Sequence, residues 1–112
     1  MVQNRSKLID LLIGNLSNAA VHRILQQSIE DEDLSLYYEK EIINSLELAI
    51  KYRGKINPPA GPLPKEDTEE VKKKVIARVN SKLKARIEEG YQNIHLESVE
   101  KVVDKLLSEI NI

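Results

Sequence analysis

All four prolines of this chain fall inside one run of eight residues, Asn57 to Pro64, and that clustering limits what the chain can fold into. Proline lacks an amide donor and clashes with the preceding helical turn, so a helix cannot continue through this run. The proline-free stretches on either side can be helical throughout. In both, apolar residues recur at spacings of three and four, the helical period and not the alternation of a strand.

The first segment reads as a helix over residues 6–30, with Ile9, Leu12, Ile13, Leu16, Ala20 and Ile24 on one stripe. Gly14 interrupts it and Ser17 offers a fresh N-cap, so residues 14–17 can divide it in two. Four adjacent acids, Glu30 to Asp33, form a polar connection, with Asp33 or Ser35 as the cap of a second helix over residues 35–53. Tyr38, Ile42, Leu46, Ala49 and Ile50 line its face, Ile43 widens that stripe, and Gly54 supplies a left-handed stop.

The run from residue 54 to 67 reads as an extended strap, about 3.1 Å per residue in polyproline-II geometry, long enough to follow the whole bundle. Asp67 or Thr68 then caps a third helix striped by Val75, Ile76, Val79, Leu83 and Ile87, and Gly90 ends it. The last helix, residues 96–109, carries Val99, Val102, Val103, Leu106, Leu107 and Ile110. The expected fold is all-α: one domain, residues 1–112, built as a four-helix bundle, or five if residues 14–17 break the first helix. Two helical hairpins, residues 6–53 and 67–110, are joined by the proline-rich linker.

Composition excludes several function classes. The chain has no Cys, which removes disulfides, zinc–thiolate sites and thiol nucleophiles. The first residues lack the apolar core of a signal peptide and no run is long enough to span a bilayer, so cytoplasmic residence with no membrane partner is expected. The net charge of −1 disfavours a globally cationic nucleic-acid binder. The absence of Trp and Phe, with only four Tyr, argues against a base-stacking platform. Abundant Lys, Glu and Ile give the balance of a thermophile protein, against which eight Asn weigh.

The most informative feature is the third helix, which holds seven basic residues and no acid between Val71 and Ile87. Lys74, Arg78, Lys82 and Arg86 stand four apart and form one ridge, a surface that could track phosphates or meet an acidic partner. The bland alternative is a solvated face neutralised by Glu39, Glu47, Glu97 or Asp104. A helix-turn-helix reading of residues 71–109 fits poorly, because Glu97 and Glu100 at the start of a recognition helix would repel phosphates.

Glu97, Glu100 and Asp104 share a helical face, and Glu66 and Glu69 repeat the three-residue spacing. This carboxylate set makes a magnesium enzyme the third reading. A solvated face explains it as well, and no cofactor or metal is expected. His22 reads as an edge-packing residue and His95 as a cap for the last helix, since no H-E-x-x-H or G-x-S-x-G motif occurs. Tyr37, Leu36, Leu48 and Tyr52 lie on the second helix and form a candidate interface. The preferred reading is a small non-enzymatic helical interaction or adaptor protein, self-associating, with a nucleic-acid-binding accessory protein as the alternative.

Overall fold

The computed structural model describes residues 5–56 and 65–110. Among them the chain is entirely helical: α1 (Arg5–Gln27), α2 (Glu32–Ile56), α3 (Lys65–Glu88), a 3-10 turn at Leu96–Ser98 and α4 (Val99–Glu109). Among the described residues no helix is long and apolar enough to cross a membrane.

α1 is one unbroken helix through residues 14–17, and the expected cap at Ser17 does not form. Instead the Ser17 hydroxyl donates back to the Ile13 carbonyl at 2.7 Å, and the Asn15 amide donates to Leu11 O at 2.8 Å. Both polar side chains are satisfied within the helix, which removes the reason for a break. Twelve successive residues, Leu11 to His22, carry no charge. Accordingly Leu12, Ile13, Leu16, Ser17, Ala19, Ala20, Val21, Ile24 and Leu25 are buried, more than one stripe of a helix. A helix apolar on most of its circumference belongs at the centre of a fold. α1 packs against α2, α3 and α4.

α2 starts three residues earlier than expected. Asp31 is its cap, accepting the Leu34 amide on Oδ1 at 3.0 Å while its carbonyl takes the Ser35 amide at 2.9 Å. The pairs Asn18–Ser45 (2.8 Å) and Gln26–Glu39 (2.9 Å) show α2 running antiparallel to α1. The helix continues through Gly54 to Ile56, so that glycine is not its stop. α3 likewise begins at Lys65, ahead of Asp67 and Thr68. Both ends of the expected strap, residues 54–56 and 65–67, are therefore helix, and its proline run, residues 57–64, lies outside the described residues.

α3 runs parallel to α1. One shallow cleft joins Ser6 and Asp10 to Asp67 and Lys74, and another joins Asn18 and His22 to Lys82 and Arg86. The end of α2 and the start of α3 thus share one end of the bundle, and no connection along its full length is required. α3 closes in a Schellman motif: Gly90, at φ 105°, donates to Ile87 O at 3.0 Å, and the Tyr91 amide donates to Arg86 O at 3.1 Å.

The second half is not the hairpin expected. Lys72, near the start of α3, reaches Glu100 at 3.4 Å and Asp104 at 2.8 Å. Residues 89–98 therefore carry the chain back along α3 before α4 begins, and Ile94 and Leu96 pack on the core as they pass. Glu109 then meets Arg23, near the end of α1, at 3.3 Å. All four helices contribute to one aliphatic core.

Candidate functional site

The four basic residues of α3 lie along α1, each facing one of its successive turns. Lys74 sits near Asp10, the Arg78 guanidinium lies over Gly14, and Lys82 and Arg86 border the cleft with Asn18 and His22. The acids expected to cover them do not pair with them. Asp104 binds Lys72 together with Glu100, Glu97 lies 3.4 Å from His95, Glu39 accepts from Gln26, and Glu47 is exposed on α2 with no ion pair among the described residues. Neutralisation of the ridge comes from residues close in the chain: Lys74 pairs with Glu70 at 2.8 Å, and Arg86 with Glu89, just past the end of α3, at 3.7 Å. Arg86 also stacks over the Tyr91 ring at 5.4 Å. Arg78 and Lys82 form no ion pair among the described residues, and both are exposed.

The carboxylate set is differently occupied. The Lys72 ammonium bridges Glu100 and Asp104, where a divalent ion would have to sit, and these two acids hold its pKa up. The Glu97 carboxylate lies beside the His95 ring. Among the described residues no group of three or more His, Cys, Asp or Glu is arranged to hold a metal ion.

His95 sits at the start of the 3-10 turn as expected, but its backbone does the capping. Its carbonyl accepts the Ser98 hydroxyl at 2.7 Å and the Ser98 amide at 3.0 Å, with no capping bond from the ring. His22 stacks on Tyr38 at 5.4 Å. Burial lowers its pKa, and Arg86 and Lys82 push the same way against Glu41. Tyr37 lies 5.9 Å from Tyr38, so rings from α1 and α2 meet at this end of the bundle.

α2 departs most from its sequence reading. Ile43 and Ile50, expected to face the core, are 48% and 53% exposed, and Leu36 is 63% exposed. These three stand seven apart, so successive members drift by only about 20° around the helix. They form a straight apolar stripe roughly 21 Å long at 1.5 Å per residue. Comparison with known protein families, curated proteins and solved structures finds no match to this chain. The candidate interface residues split accordingly. Leu36 belongs to the stripe, whereas Tyr37 and Leu48 are also exposed but lie about 120–140° around the helix from its centre. Tyr52 packs against the core. The four do not form one surface.

Proposed function

We propose that this chain is a non-enzymatic helical interaction module that associates with a second copy through the outer face of α2. The observation that carries this reading is the stripe Leu36–Ile43–Ile50: three large aliphatic side chains in register, about half exposed or more, on one side of a long helix. Isolated exposed leucines are ordinary, but a contiguous apolar row bordered by charge marks a surface that meets another. Lys40 and Glu47 supply that border, and both are exposed.

The test is thermal melting at a series of protein concentrations. Association of folded chains raises Tm with concentration by mass action. The wild-type chain should show that dependence. The variant Leu36→Ser/Ile43→Ser/Ile50→Ser should lose it while keeping its helical circular dichroism, because none of the three supports the core. A wild-type Tm that is flat with concentration overturns the reading.

A second reading has one observation in its favour: no acid of α2 or α4 pairs with Arg78 or Lys82. A nucleic-acid backbone laid along α3 would neutralise both, and its binding would weaken steeply with salt. Fluorescence anisotropy with labelled RNA and DNA decides this. Binding at low salt that Arg78→Glu/Lys82→Glu removes would support it, and no binding at low salt would end it.

A further inference from the structure

The stripe on α2 is nearly symmetric about its own midpoint, and so are the charges beside it. Leu36 and Ile50 stand seven residues to either side of Ile43. Lys40 and Glu47 lie on the same edge of the stripe, three residues before Ile43 and four after it. Neither forms an ion pair among the described residues. At the start of α2 Glu32 and Asp33 are exposed, and at its other end Lys51 and Lys55 are exposed, whereas Arg53 is buried.

Resting on the self-association reading above, we propose that the second copy docks antiparallel along α2, with a twofold axis passing beside Ile43. In that arrangement Ile43 meets its own counterpart, and Leu36 of each copy meets Ile50 of the other. Lys40 then faces Glu47 across the interface, twice by symmetry. The acidic first turn of one helix lies beside the basic last turn of the other, and the two helix macrodipoles oppose. A parallel pairing places the Lys40–Glu47 edges of the two copies on opposite sides of the seam, so neither pair forms, and it stacks acidic turn on acidic turn, so charge selects against it. The interface is isologous, one patch meeting its own copy, as most soluble homodimers are built.

The absence of cysteine makes the geometry directly readable. Single variants Leu36→Cys, Ile43→Cys and Ile50→Cys are treated with a short bis-maleimide at a concentration where sedimentation shows the wild type to be dimeric. Ile43→Cys should crosslink to itself. Leu36→Cys and Ile50→Cys should each fail alone, because the two copies of either position lie about 21 Å apart along the axis. A mixture of those two should crosslink. Lys40→Glu should weaken the dimer by roughly 3- to 10-fold, and Lys40→Glu/Glu47→Lys should recover it. A dimer in which Leu36→Cys crosslinks to itself is parallel and overturns the proposal. A dimer in which no variant or mixture crosslinks uses another face; this too overturns the proposal while leaving self-association standing. A wild-type chain that is monomeric at every concentration removes both.

Discussion

Two glycines show how one residue type takes opposite roles in a single chain. Gly14 sits inside α1 with ordinary helical geometry, and a β-carbon there would meet only the Arg78 Nη1 atom, at 3.8 Å. That is normal contact, so Gly14→Ala should stabilise the fold by about 0.5–1 kcal/mol through the lost freedom of the unfolded chain. Gly90 adopts φ 105° in the Schellman turn, and Gly90→Ala should cost about 1–2 kcal/mol although nothing crowds the site. Urea denaturation of both variants checks the contrast in sign. His22 makes a prediction about pH. Its folded pKa lies below the unfolded 6.5, chiefly through burial, with Lys82 and Arg86 of α3 adding to the effect and Glu41 of α2 opposing it. Stability from this residue is therefore complete above pH 6.5 and falls as pH drops towards the folded pKa, because the unfolded chain takes the proton first. The loss between pH 7.5 and 5.5 should shrink in His22→Gln, as chemical denaturation at the two pH values will show.

At the scale of the helices, periodicity placed each element but not each face. The sharp stripe of α4 left no ambiguity, and Val99, Val102, Val103, Leu106, Leu107 and Ile110 are all buried. α2 was ambiguous for a physical reason: it carries two apolar arcs, and spacing alone cannot say which one meets the core. Ile42 and Ala49 belong to the inner arc, Ile43 and Ile50 to the outer. Ile87, expected inside, is exposed near the end of α3, beyond the last buried turn at Leu83. The central place of α1 was written in its uncharged run from Leu11 to His22, a signal of burial separate from the stripe. The start of α2 was misplaced because a run of acids offers several caps, and only geometry selects Asp31. Asp31→Ala should destabilise the fold by about 1 kcal/mol. A drop in denaturation midpoint with unchanged slope would confirm that the effect is a lost cap.

For the whole molecule, the sequence conveyed the helical class and the basic ridge. Which acids would reach that ridge depends on the path between α3 and α4. An antiparallel hairpin would have set α4's acids against the later turns of α3. The return of residues 89–98 along α3 brings them to Lys72 instead, leaving Arg78 and Lys82 open. The same core that consumes α1 on three sides leaves the outer arc of α2 without cover. That uncovered arc is the basis of the functional reading, and sedimentation velocity over a concentration series tests it most directly. The wild-type chain should shift from monomer to dimer as concentration rises. Ile43→Glu should stay monomeric throughout with an unchanged circular dichroism spectrum. A wild-type chain that sediments as a monomer across the series, or an Ile43→Glu chain that dimerises as well as the wild type, would contradict the account.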